Sequence, residues 1–159
     1  MKRIIITLIA LSLIVFCPVT TSNAAVIRQH SIEYLTDGSY YETTITTNDF
    51  HSYSLIRTAS LTRSANKTTT YTSSSGAKLW SVTVTGNFSY IKGKSSKCTS
   101  SSVSATAYSA SWKISNKSSS KSGNTATASA TVLQYSGARP VNSVTRKVSL
   151  TCNVNGNLS

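Results

Sequence analysis

Leu79-Trp80-Ser81-Val82-Thr83-Val84-Thr85-Gly86-Asn87-Phe88-Ser89-Tyr90-Ile91 decides the fold class. Trp80, Val82, Val84, Phe88 and Tyr90 share one face of an extended chain, and Ser81, Thr83, Thr85, Asn87 and Ser89 share the other. Period-two alternation of this length marks a half-buried β-strand. Gly86 breaks the row of large residues and suggests a bulge or bend.

The flanking sequence repeats the pattern. Thr68 to Thr72 reads as a strand, and Ser73-Ser74-Ser75-Gly76 as a turn. Lys92 to Lys97 is a turn rich in Lys, Ser and Gly. From Cys98 to Ile114 apolar and small residues alternate for 17 positions. One straight strand of that length would reach about 55 Å, far beyond ordinary strands. A break at Ser109-Ala110-Ser111 divides it, giving strands near 98–108 and 112–121. Strands near 125–134 and 144–154 follow, with Gly123-Asn124 and Ser136-Gly137-Ala138-Arg139-Pro140 between them. Ala126, Ala128, Ala130 and Val132 share a face. Val144, Val148, Leu150, Cys152 and Val154 do too, interrupted by Arg146.

Towards the N-terminus, Asp37-Gly38 separates Ile32-Glu33-Tyr34-Leu35-Thr36 from Ser39-Tyr40-Tyr41-Glu42-Thr43. Asp-Gly between alternating runs predicts a two-residue hairpin turn. That register sets Tyr34 against Tyr41 and Glu33 against Glu42, and turns His30 away from both glutamates. Residues 47–66 carry little pattern and read as a linker or edge segment. Composition agrees with an all-β chain: 31 Ser and 23 Thr make up a third of 159 residues. Such side chains compete for helical backbone hydrogen bonds, whereas Thr, Val and Tyr suit a pleated sheet. The expected fold is an antiparallel β-sandwich over 67–159, preceded by a hairpin and linker over 25–66.

Residues 1–24 have the organisation of a secretory signal peptide. Lys2 and Arg3 precede an apolar stretch from Ile4 to Phe16, and Ser22-Asn23-Ala24 supplies small residues for cleavage after Ala24. The run is too short to span a bilayer, and Phe16 before Cys17 is unlike a lipidation site. The mature chain is expected to be secreted, with no membrane span. It keeps two cysteines, Cys98 and Cys152. In an oxidising compartment these are expected to form one disulfide, and counting strand reversals places them at the same end of the sandwich. Two cysteines alone cannot complete a four-ligand zinc site.

Cys98, Trp112 and Cys152 resemble the immunoglobulin arrangement in which a tryptophan packs on an inter-sheet disulfide. Leu150 stands where that family carries tyrosine, so the resemblance implies an immunoglobulin-like outline, not membership. The order of pieces resembles a group of small, uncharacterised secreted proteins of Gram-positive bacteria. Ile32 to Thr46, Lys78 to Gly86, Trp112 to Ser115, Lys121 to Ala126 and Leu150 to Cys152 carry that likeness. It implies export and an all-β domain, and brings no activity.

Catalytic chemistry has little to draw on. His30 and His51 are the two histidines, and Asp49 lies two residues from His51, but serine is too abundant here to single out a nucleophile. Glu33 and Glu42 on one hairpin could approach glycosidase spacing, yet no cleft is evident. A calcium site takes six or more oxygens; the four acidic residues clustered within 33–49 could supply some of them, but such a site is not the expected one. No enzyme, metal or cofactor is expected.

Charge is the more informative property. The whole chain carries +12; without its leader it holds 14 basic and four acidic residues. No acidic residue follows Asp49. Lys92, Lys94 and Lys97 crowd one turn, and Lys121 falls in a turn expected at the same end. Lysines there resist strand-edge pairing, and they also form a candidate anion-binding end. Anionic cell-wall or other extracellular polymers are the expected partners. Aromatic residues do not interleave with the lysines, so stacking on nucleic acid bases is not indicated. Trp80 and Trp112 sit on apolar faces and read as core; Tyr40, Tyr53, Tyr71 and Tyr135 are the better candidates for exposed rings. A carbohydrate- or host-protein-binding module acting through the hairpin tyrosines, and a secreted antagonist of neighbouring cells, are the competing functions.

Overall fold

A computed structural model describes residues 26–47 and 60–159. The expected leader lies outside these residues, as do Asp49, His51 and Tyr53. Among the described residues eight strands form two antiparallel sheets: β1 (Val26–Tyr34), β2 (Tyr40–Thr47), β3 (Leu61–Thr72), β4 (Lys78–Ile91), β5 (Ser95–Ala107), β6 (Trp112–Ser122), β7 (Thr125–Ser136) and β8 (Arg139–Thr151). The first sheet has the order β1-β2-β3-β4-β5 and the second β6-β7-β8. Each is a meander, and the chain crosses from one sheet to the other at Tyr108–Ser111, a stretch that includes the break expected at Ser109-Ala110-Ser111. Among the described residues there is no helix long and apolar enough to cross a membrane.

The 80–90 alternation becomes the inner face of β4. Trp80, Val82, Val84 and Phe88 are buried against Ala126, Ala128, Ala130, Val132, Val148 and Leu150 of the second sheet. The registers align whole rows across the first sheet: Glu33, Tyr41, Tyr71, Trp80 and Ala107 form one, and Gln29, Ile45, Lys67, Val84 and Val103 another. Burying the apolar row drives the sheets together. The alanines of β7 allow close approach, and Gly86 faces them with no room for a side chain. A Cβ there would lie 2.6 Å from the Phe88 ring and 3.0 Å from the Ala126 Cβ. The irregularity expected at Gly86 falls one step later, where the β4–β5 register shifts between Asn87 and Phe88.

Several sequence expectations are corrected here. Leu61–Asn66 is not linker: it is the first half of β3, paired with β2 and β4. The Asp37-Gly38 hairpin has a longer loop than expected. Leu35 N donates to Ser39 O at 2.8 Å and Gly38 N to Leu35 O at 3.1 Å, and only Gly38 has positive φ, +81°. This is the three-residue loop with a glycine bulge rather than the two-residue turn. The register therefore shifts by one residue, to Tyr34↔Tyr40, Glu33↔Tyr41 and Ile32↔Glu42. A one-residue slip exchanges faces. Glu33 and Glu42 lie on opposite faces, and His30 Nε2 meets Glu42 Oε1 at 2.9 Å instead of facing away. The 73–77 and 153–157 turns repeat the same loop, with Gly76 and Gly156 in the corresponding position.

The expected disulfide is absent from the structure: Cys98 and Cys152 are buried thiols that are not bonded to each other. They do sit at one end of the fold. Cys98 N donates to Gly123 O at 2.8 Å and Cys152 N to Asn124 O at 3.1 Å, so the β6–β7 turn stands between them. Each thiol turns to a carbonyl of its own stretch of chain, Ser100 O at 3.2 Å and Asn153 O at 3.6 Å. Nor is the immunoglobulin pin present. Trp112 opens β6 at the end away from the cysteines, against Trp80 at 6.3 Å and Tyr71 at 5.9 Å between ring centroids. Tyr71, expected as an exposed ring, belongs to this half-buried cluster, whereas both tryptophans are core as expected.

Candidate anion-binding sites

Two cationic regions emerge, at opposite edges of the layered sheets. The first is the lysine end. Lys92 and Lys94 flank Gly93 in the β4–β5 turn, which is closed by Lys94 N donating to Ile91 O at 2.9 Å. Lys97 lies on β5 and Lys121 near the end of β6, where its Nζ donates to Thr99 O. The two sheets come together along this edge: Ser119 Oγ donates to Ser101 O and Ser101 Oγ to Thr127 O, both at 3.3 Å. Lys97 and Lys121 face two shared depressions, of about 410 Å³ beside Tyr90 and Ile91 and about 390 Å³ beside Cys98 and Gly123. Lys92 and Lys94 line neither depression; they stand exposed in the adjacent turn.

Cys98 lies beside that second depression. Burial pushes its thiol above the ordinary value, and the nearby Lys121 charge opposes the shift in part. A raised thiol pKa means less thiolate, the reactive form, at a given pH. Alkylation of Cys98 in the folded protein at pH 8 is therefore expected to be slow, and to become at least about tenfold faster in denaturant. Peptide mass mapping after timed iodoacetamide exposure checks this. Equal rates in both states would remove the buried thiol, and no alkylation even when unfolded without reductant would show the two sulfurs joined.

The second region is a groove of about 810 Å³ where the sheets diverge. Its walls are the inner face of β1–β3 and strand β8. Sequence alternation alone places Lys67 on that inner face, in phase with Thr69 and Tyr71, and Arg146 on the inner face of β8, between Val144 and Val148. Lys67 sits in its row between Ile45 and Val84 and makes no hydrogen bond or ion pair among the described residues. Burial holds its ammonium below the ordinary 10.5. A lysine lowered on folding penalises the native state wherever it is charged, and the penalty is relieved as pH rises towards 10.5.

Arg146 is held from two sides. Its guanidinium lies 4.2 Å from the centroid of the Tyr41 ring, and Nη2 is 3.5 Å from Glu33 Oε2. Its Nε is buried with no hydrogen-bond partner among the described residues. Glu33 is 65% exposed, so this contact is a loose one at the groove mouth. Thr43 and Thr69 contribute hydroxyls, bonded to each other at 3.0 Å. Gln29, which lines the groove, also meets the returning C-terminal segment: its Nε2 donates to Leu158 O at 3.3 Å, and Arg63 donates to Gly156 O.

Sequence reasoning selected the lysine end and passed over the groove. Arg146 was visible as an interruption of an apolar face, the one signal that could have pointed there. Among the described residues no three of His, Cys, Asp and Glu gather as a metal-binding group.

These elements define an all-β protein of two consecutive meanders with basic surfaces at both edges. No protein-family model matches the chain, and neither a curated protein nor a solved structure is significantly similar to it.

Proposed function

We propose that the chain is exported, loses residues 1–24, and acts outside the cell as a non-enzymatic β-sandwich that binds anionic polymers through its lysine end. The observation carrying this reading is the one-sided charge. Thirteen basic residues and no acidic one lie between residue 51 and the C-terminus, and Lys97 and Lys121 face common depressions beside Lys92 and Lys94. Cations without carboxylate neighbours attract polyanions in a salt-dependent way. Anionic cell-wall polymers of a Gram-positive envelope fit this chemistry, as the resemblance to small secreted proteins of such bacteria suggests.

Protein recovered from culture medium, with Ala25 as its first residue, is expected to be retained on heparin and released by moderate salt. Charge reversal at Lys92, Lys94 and Lys97 together is expected to weaken binding by at least about 100-fold, since loss of the three charges alone is worth about 1 kcal/mol per lysine at an anionic surface. Retention that ignores the triple substitution would overturn the lysine end as the site.

One observation favours carbohydrate binding as a second reading. Tyr34 is 72% exposed at the hairpin tip, its ring 5.5 Å from that of Tyr40, with Ile32 and Leu35 exposed nearby. Binding to neutral glycans that is insensitive to salt and lost in Tyr34→Ala would select that reading.

A further inference from the structure

We propose that the groove between β1–β3 and β8 is a second, separate site that takes an oxyanion group — phosphate, sulfate or carboxylate — between Lys67 and Arg146. The argument begins with where these cations stand. Most inner positions towards the middle of both sheets bury apolar or small residues. Lys67 interrupts the row Ile45–Lys67–Val84, and Arg146 pairs with the buried Ala130. Taking a cation from water costs several kcal/mol unless it is paired. Two inward cations from opposite sheets line one groove, and among the described residues the one carboxylate lining it is Glu33. Glu33 meets Arg146 only at 3.5 Å, from the mouth, and leaves Lys67 without a counter-charge. An added anion would give Lys67 the counter-charge it lacks among the described residues.

Donor chemistry points the same way. Lys67 offers an ammonium and Arg146 a guanidinium whose planar fork suits oxyanions, and Tyr41 holds that plane at 4.2 Å. The hydroxyls of Thr43 and Thr69 lie in the same wall. At about 810 Å³ the groove exceeds a bare oxyanion and has room for the sugar or chain unit that carries one. A wall this polar and cationic is ill-suited to an apolar ligand. No residue is shared with the lysine depressions, so this inference stands whether or not the lysine end binds polymers. Glu33 acts as an internal competitor: it partly neutralises Arg146 until a ligand anion displaces it.

Calorimetric titration of the mature protein with sodium phosphate, sodium sulfate and short polyphosphate tests this. Saturable binding of at least one probe is expected, weakened tenfold or more in Lys67→Met and in Arg146→Met. Glu33→Gln is expected to tighten it severalfold, an outcome that damage to the fold cannot mimic. Lys67→Met should melt at the same temperature as wild type or higher, since a neutral side chain suits its place between Ile45 and Val84. Reversal of Lys92, Lys94 and Lys97 should leave phosphate and sulfate binding unchanged. Absence of saturable binding to all three probes, binding that survives Lys67→Met, or weakening by Glu33→Gln would each overturn the groove. So would binding abolished by the lysine-end reversal alone, which would assign it to the other edge.

Discussion

Trp80→Ala is expected to destabilise the protein by about 3–5 kcal/mol, the range for emptying a buried tryptophan site. Trp80 is fully buried. Its ring lies 5.4 Å from Tyr71, 5.9 Å from Tyr41 and 6.3 Å from Trp112. Trp112 comes from the second sheet, so Trp80 joins the two layers as well as neighbouring strands. Removing it opens a cavity between rigid rings that strand backbones prevent from collapsing. Aromatic pairs also add about 0.5–1.5 kcal/mol each beyond their buried area. Against a total stability of about 5–15 kcal/mol the loss is a large fraction. Urea unfolding followed by circular dichroism measures it. Trp80→Phe should recover more than half the loss, and a fall below about 1 kcal/mol in Trp80→Ala would contradict a core centred on these rings.

Gly86→Val is expected to cost about 2–3 kcal/mol by the opposite mechanism, overfilling. The new Cβ would meet Phe88 ring carbons at 2.6 and 2.7 Å and the Ala126 Cβ at 3.0 Å. Gly86 does not have positive φ, so backbone strain is not the cause. The clash lies within the core, between Phe88 of the same strand and Ala126 of the facing sheet. Ala126→Gly makes room on the facing side, so the double variant should recover at least about 0.5 kcal/mol relative to additivity. Strictly additive losses would mean that the sheets do not meet at Gly86.

Much of the framework was legible from local pattern. Alternation at 80–90 identified β4 and its buried face, because a strand's side chains must alternate whatever it packs against. Gly76 and the Gly123-Asn124 pair marked turns, and the excess length of 98–114 required the break that separates β5 from β6. The hairpin register was not legible. Asp37-Gly38 is compatible with a two-residue turn and with the glycine-bulge loop, and a difference of one residue decides whether His30 faces Glu42. The chosen loop is stabilised locally by Asp37, whose carboxylate accepts hydrogen bonds from Ser39 N and Ser39 Oγ. Those bonds hold the Asp37 carboxyl below its ordinary pKa.

What the amino-acid order determined by itself was which side chains share a face, since that depends only on the two-residue repeat of extended backbone. Tertiary structure decided which faces meet. Cysteines about fifty residues apart in sequence reach the same end yet remain on either side of a turn. Lys67 and Arg146, nearly eighty residues apart, come to line one groove. Such contacts between sheets depend on twist, strand order and the space left by Gly86 and the β7 alanines, and none of these is encoded in a local repeat.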